Sequence, residues 1–310
     1  MVIDMSVIRN SVLGFAIGDA MGVPLKFKKR DELLDNPVTS MIEGDMEAGI
    51  WGGATALTLA TMDSISKTRR IDYKDMADRF CYLIDNGEYT ATGSVFNIDN
   101  TTKDALEKYS MDQDDYTLCG GKSISDNNNG SLMRMLPIAL YCYYNNLRDE
   151  EVYRVVRKAS SITHANEVSI LGCFIYVNYL MFLLNDKDKF ASYNMIRCFD
   201  YSLYFDPDIV EYYNRLLKTN IAKLRVDDLK SEEYVVYTLE TVFWVILNCS
   251  SYSESIVGAI NLGGDTDNIG AITGSVAGIL YDDISPKWLS SLKNVNYLED
   301  IISSFEEVLL

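Results

Sequence analysis

The chain has one histidine, His164, in 310 residues. With no Cys–His arrangement beside it, nothing in the sequence points to nucleophilic catalysis of the triad type. None of the six cysteines (Cys81, Cys119, Cys142, Cys173, Cys198 and Cys249) is paired at a metal-ligand spacing, and most sit in apolar runs. They read as reduced, buried cysteines of a cytoplasmic protein. Basic residues are scarce: 28 Lys and Arg stand against 45 Asp and Glu, a net charge of −17. Such a chain repels DNA, RNA and anionic membranes, so no nucleic-acid or membrane partner is expected. A small anionic ligand feels only its local pocket and is not excluded. Residues 1–6 lack the basic region and apolar stretch of a signal peptide. The longest apolar run, 170–184, is interrupted by Asn178 and is short for a membrane span; it reads as a buried helix. There is no internal repeat, no low-complexity linker and no alternating strand pattern longer than a few residues.

What is present is helical. With 48% hydrophobic residues, the chain can bury a sizeable core. Ile8, Val12, Phe15 and Ala16 follow helical spacing, with Asp4 or Ser6 as N-cap and the Gly18–Pro24 segment as an exit. Further helices are expected over 71–84, from Thr101, over 150–159, along the apolar run after Thr163-His164-Ala165-Asn166-Glu167, over 233–249, and from about Tyr297 to Leu309. The tyrosine-rich segment 185–230 reads as packing. Gly270, Gly274 and Gly278 recur every fourth residue, a stripe that implies close backbone packing because glycine otherwise costs helix stability. The expected fold is all-α, a single compact domain over 1–310.

Two polar stretches carry chemistry. Gly263-Gly264-Asp265-Thr266-Asp267-Asn268 aims two carboxylates, two residues apart, from a helix start with free N–H groups and a positive dipole end. Such a loop suits a hard cation. Asp126-Asn127-Asn128-Asn129-Gly130-Ser131-Leu132-Met133-Arg134 is a glycine-containing turn opening an apolar helix, able to offer N–H groups to an anion. Arg134 adds a charge suited to a phosphate or a core acid. His164, at a helix start, reads as a cap or structural hydrogen-bonder, or as a ligand contact.

These stretches resemble the motifs of the ADP-ribosylglycohydrolase family, hydrolases that remove ADP-ribose from proteins. The likeness covers nearly the whole chain and is densest at 13–27, 51–65, 126–137, 163–167 and 260–279. It implies an all-helical fold with a central ligand cleft and an ADP-ribose-containing small molecule or ADP-ribosylated protein as partner. By the resemblance, Asn129, Gly130, Ser131, Met133 and Arg134 hold a diphosphate, and His164 lies close to a ribose. Gly264 and Asp265 face the ligand, and the loop with Asn97 and Asp99 closes over it. Family catalysis relies on two Mg2+ ions.

The departures from the family motifs fall on that metal site. Gly52-Gly53-Ala54 stands where the family has Thr or Ser, Asp and Asp, and no side-chain oxygen survives there. Lys26 aligns with a family Glu, Asn97 with an Asp, Asp99 with a Gly, and Asn268 with a Thr or Ser. Asp265, Asp267 and Asn268 are left to hold at most one Mg2+, weakly, or none. Two carboxylates about 4 Å apart repel by roughly 4 kcal/mol at an effective dielectric near 20. The Lys26 ammonium is expected to occupy the metal position and pair with both. The resulting expectation is a nucleotide-binding, catalytically impaired protein that senses or sequesters its ligand. The alternative is a divergent hydrolase using one metal or none, with Asp265, Asp267 or Asp99 as base.

Overall fold

The glycine stripe decides how the chain packs. In the computed structural model, which describes residues 5–111 and 115–309, the long helices run in order α1 (Met5–Gly22), α2 (Arg30–Asp35), α3 (Gly53–Thr68), α4 (Tyr73–Asn86), α5 (Asn100–Met111), α6 (Met135–Tyr144), α7 (Asp149–Ser161) and α8 (Glu167–Asp186). They continue as α9 (Lys189–Cys198), α10 (Pro207–Glu211), α11 (Asn214–Lys218), α12 (Val235–Asn248), α13 (Tyr252–Ile260), α14 (Thr266–Leu280), α15 (Pro286–Ser291) and α16 (Val295–Leu309). No strand forms among the described residues. Isolated bridges join Gly121 to His164 and Asn128 to Tyr234.

α1 and α14 pack backbone to backbone along their length. A Cβ on Gly274 would stand 2.1 Å from the Gly14 carbonyl oxygen, one on Gly270 2.5 Å from that of Gly18, and one on Gly278 2.3 Å from that of Asn10. This explains one difference from the sequence expectation. Gly18 does not end the first helix; it lies inside α1 as the reciprocal half of the contact, and the exit comes at Val23–Leu25. Of the two expected caps, Asp4 lies outside the described residues and Ser6 lies within α1.

α8 is the centre of the core. Its 20 residues are long and apolar enough to cross a membrane by length and composition, but 83% of the most apolar window is buried inside the fold, against α6, α7, α9 and α12. The Asn166 side chain caps it, accepting from the Val168 N–H at 3.0 Å. The aromatic segment that follows packs as expected: Phe174 of α8 meets Phe199 and Tyr204 edge-on, with ring centroids 5.6 and 5.4 Å apart. None of the six cysteines forms a disulfide; Cys198 is exposed and Cys81 half-buried.

Valine at Gly270 or Gly274 is expected to lower the free energy of unfolding by at least about 1–3 kcal/mol, the cost of overpacking against backbone that cannot yield. Alanine at Gly258 of α13 would make only ordinary contacts, the nearest at 3.4 Å. There the helix propensity gain of about 0.5–1 kcal/mol should dominate. Urea denaturation of the three variants checks both signs.

Candidate functional site

The α1–α14 contact brings the exit of α1 beside the loop that starts α14. Gly263 and Gly264 have φ of +72° and +74°, a left-handed pair that glycine alone adopts freely. A Cβ on Gly264 would also meet the Ser231 carbonyl oxygen at 2.1 Å. The Phe27 N–H donates to the Gly264 carbonyl at 2.7 Å, and the Gly264 N–H donates back to Lys28 at 3.1 Å. Arg30 fastens the same region, its guanidinium donating to the carbonyls of Leu262, Val226 and Leu229. Residue 26 therefore faces Asp265 and Asp267 on a clamped segment.

Lys26 Nζ lies 2.9 Å from Asp265 Oδ1 and 2.9 and 3.0 Å from the two oxygens of Asp267. Its side chain is 11% exposed, and Glu233 lies 3.9 Å away. The expected pairing of Lys26 with both carboxylates is what the fold contains. Burial works against the ammonium, but Asp267 and Asp265 together hold its pKa well above the usual lysine value. Asp265 also accepts from Asn129 Nδ2 at 2.6 Å and from Asn268 Nδ2 at 2.9 Å. Asp267 accepts from Asn97 Nδ2 at 3.0 Å and from the Asn268 N–H at 3.0 Å. Burial, reinforced by the Asp265 charge, pushes the Asp267 carboxyl up, with Lys26 pulling the other way.

The Gly52-Gly53-Ala54 stretch starts α3, and the loop 96–98 fills the space beside it. A Cβ on Gly53 would stand 2.6 Å from Ile98 Cγ1 and 2.7 Å from the Asn97 carbonyl oxygen. Asn97 itself is left-handed, φ 53°. The N-terminal N–H groups of α3 are taken by a buried carboxylate: Asp19 accepts from Gly52 N–H at 3.0 Å, Thr55 N–H at 2.9 Å and the Thr55 hydroxyl at 2.6 Å. Burial raises its pKa to about 6, against the pull of these bonds and of Lys26. Asp19 was not legible as a site residue in the sequence; its one signal is its place between Gly18 and Ala20 in a stretch of α1 that is otherwise apolar or small.

The 126–134 loop departs from the sequence expectation. The N–H groups of Asn129 and Met133 donate to the carbonyls of Glu233 and Asn129, and that of Gly130 to Asn128 Oδ1 at 3.0 Å. Those of Gly130 and Met133 serve the loop itself, and that of Asn129 ties it to the segment before α12. The Arg134 side chain does not reach the cleft to meet a phosphate. It is 1% exposed, donates to the carbonyls of Ala159 and Ser160 and to the Thr163 hydroxyl, and lies over the Phe80 ring. An arginine here closes the end of α7, whose last carbonyls need donors. Ser131 and Met133 are likewise interior, with Ser131 Oγ accepting from Ser160 at 2.9 Å.

His164 is fully buried, its Nδ1 2.7 Å from the Thr163 hydroxyl and its Nε2 2.7 Å from Asn128 Oδ1. Burial and the Arg134 charge lower its pKa to about 4, against the opposing pull of Asp99. Gly130 sits between these groups, where a Cβ would stand 2.2 Å from Asp99 Oδ2. Asp99 caps α5 by accepting from the Thr102 N–H and hydroxyl at 2.7 and 2.6 Å.

A cleft of about 380 Å³ opens beside this cluster, walled by Lys26, Asn97, Asp99, Asn268, Lys103 and Glu233 among others. A second cavity of about 530 Å³ shares Lys26, Phe27 and Asn97 as its partition. Lys103 and Glu233 were not legible in the sequence, since neither sits in a recognisable motif. Among the described residues, no group of three or more His, Cys, Asp or Glu is placed to hold a metal.

Replacing Lys26 by Met leaves the two buried carboxylates without their cation, and should cost about 3–5 kcal/mol of stability by chemical denaturation. Adding Asp265→Asn and Asp267→Asn to that variant should recover much of the loss. The ring resonances of the one histidine should stay constant from pH 5.5 to 8. Because the unfolded chain takes up a proton near pH 6.5 that folded His164 refuses until about 4, its contribution to stability is complete above about 6.5 and is lost as pH falls towards 4.

Residues 4–309 match the family model described as ADP-ribosylglycohydrolase. The chain is 27% identical over 292 residues to the ADP-ribosylarginine hydrolase Tri1 of Serratia proteamaculans, covering 92% of this chain and 74% of that one. It is 29% identical to the protein of the same name from Pseudomonas putida, over 92% and 73% of the two chains. It is 25% identical to the ADP-ribosyl-[dinitrogen reductase] glycohydrolase of Rhodospirillum rubrum, over 90% and 88%. A solved structure described as an ADP-ribosylglycohydrolase-related protein complex superposes with a TM-score of 0.81, at 23% identity and 99% coverage of both chains. The all-helical fold, the paired aspartates at the start of α14 and a family match along almost the entire chain place this protein in the ADP-ribosylglycohydrolase family.

Proposed function

We propose that this protein holds an ADP-ribose-containing ligand, free or attached to a protein, in the cleft beside Lys26 and does not hydrolyse it by the family's magnesium route. Its role would be to sense or sequester that ligand in a cytoplasmic setting, which cysteines outside any disulfide suit. The observation that carries the reading is the Lys26 ammonium between Asp265 and Asp267. The donor set does not fit a pair of divalent ions. Two such ions need several carboxylates to offset their mutual repulsion, and here the two that remain are already neutralised in part by a fixed cation. The far side of the site has Gly52, Gly53 and Ala54 in place of oxygen donors, and the loop 96–98 packs where a side chain at position 53 would stand. The cleft remains open and lined with polar groups, as binding without cleavage requires.

A second reading keeps hydrolysis without the metal pair. The names of the curated relatives favour it, and Glu233, half-buried with its pKa raised by burial and by Asp265, is the base it would use.

Calorimetric titration with ADP-ribose, with Mg2+ and with a chelator, separates these readings. The expected result is the same affinity under both conditions and no release of ADP-ribose from an ADP-ribosylated protein. Mg2+-dependent release would overturn the proposal, and release that persists in chelator would establish the second reading.

A further inference from the structure

We infer that the cavity formed by α10 and the ends of α9 and α11 is a second small-molecule site, and that it takes a monocarboxylate carried on an apolar body. It shares no lining residue with either cavity beside Lys26, and the inference does not rest on the function proposed above.

The cavity holds about 260 Å³, and Phe199, Val210 and Leu217 give it an apolar wall. Phe199 is held from behind, its ring centroid 4.9 Å from that of Tyr201 and 5.6 Å from that of Phe174 in α8. Arg197, half-buried near the end of α9, is fixed at two points. Its Nε donates to the Leu217 carbonyl at 3.0 Å, and its guanidinium lies over the Tyr193 ring, 5.5 Å from the centroid. The rest of the guanidinium fork has no hydrogen-bond partner among the described residues and enters no ion pair there. Lys218, exposed at the end of α11, also lines the cavity and enters no ion pair among the described residues.

Tyr201 carries the inference furthest. It lines the same cavity, is 3% exposed, and its hydroxyl has no hydrogen-bond partner. A buried polar group left unpaired carries a standing desolvation cost, which an acceptor brought by a ligand removes. Burial pushes the phenol well above its usual pKa, so the hydroxyl keeps its proton and can donate. An arginine fork, an ammonium and a phenol are all donors, and a carboxylate is the compact group that accepts from several at once.

Two acids in the lining limit the charge of the ligand. Asp200 is partly engaged, its Oδ1 accepting from the Ser202 N–H at 3.1 Å and the Ser202 hydroxyl at 2.5 Å. Glu211 stands exposed at the end of α10. With two carboxylates beside two cations, a doubly charged anion such as phosphate gains little net attraction. A single carboxylate uses the unmet donors, and the apolar wall takes up the body that carries it. An amine on the same body would have only Asp200 and Glu211 to meet, and would leave the Tyr201 and Arg197 donors unpaired.

The test is an NMR titration of the full chain with three probes: 3-phenylpropionate, 2-phenylethylamine and inorganic phosphate. Tyr201→Phe removes only a hydroxyl that has no partner, so thermal denaturation should show no loss of stability. Lys218→Ala changes an exposed side chain. Saturable binding of 3-phenylpropionate is expected, weakened about tenfold or more by Tyr201→Phe and about two- to fivefold by Lys218→Ala. Lys103→Ala, in the other cleft, should leave it unchanged. Absence of saturable 3-phenylpropionate binding would overturn the inference. So would binding that Lys103→Ala weakens and Tyr201→Phe does not, which places the carboxylate in the Lys26 cleft. Tighter binding of the amine or of phosphate than of 3-phenylpropionate would overturn it as well.

Discussion

Two carboxylates buried side by side need a cation, and in this protein the cation is covalently part of the chain. Asp265 and Asp267 are both about 1% exposed, and Lys26 Nζ reaches both at 2.9 Å. At that distance and an effective dielectric near 20, each contact is worth roughly 6 kcal/mol of attraction before desolvation. Taking the ammonium out of water costs several kcal/mol. One carboxylate would leave that balance close; two decide it for the pair. The three acceptor contacts match the three N–H donors of an ammonium, so Lys26 leaves little capacity for further partners.

That arrangement depends on backbone geometry far from any charge. The glycine contacts between α1 and α14 fix the exit of α1 against the Asp265 loop, and the paired bonds of Phe27 and Lys28 with Gly264 fix its register. The opposite wall is complementary. Without side chains at 52 and 53, the loop 96–98 packs directly on the start of α3, and Asn97 from that loop reaches Asp267. Lysine, glycines and asparagine thus act as one arrangement: a cation supplied from one side, space given up on the other, and a neutral amide closing between them.

Much of this was legible from residue types. The helical spacing predicted the long helices to within a few residues, and the glycine stripe predicted a close backbone contact on its own face. Lys26 in one motif and the two aspartates in another pointed to the ammonium that lies between them. Other parts were not legible. Arg134 in a turn reads equally as a phosphate ligand or as an interior cap, and only the position of the α7 carbonyls chooses the second. The N–H groups of the 126–134 loop look available in sequence, but their acceptors include Asn128 Oδ1 and the Glu233 carbonyl, the latter far away in the chain.

By itself, then, the sequence determined the helical class, the family, the two aspartates at the start of α14 and the lysine that faces them, because these follow from periodicity, motif and charge balance. The tertiary structure alone decided which polar groups are already satisfied and which remain for a ligand. Glu233, Lys103 and the unpaired oxygen of Asn268 converge on one cleft from α5, α14 and the segment before α12. No local pattern encodes that convergence, because hydrogen-bond saturation depends on partners that only long-range packing brings into reach.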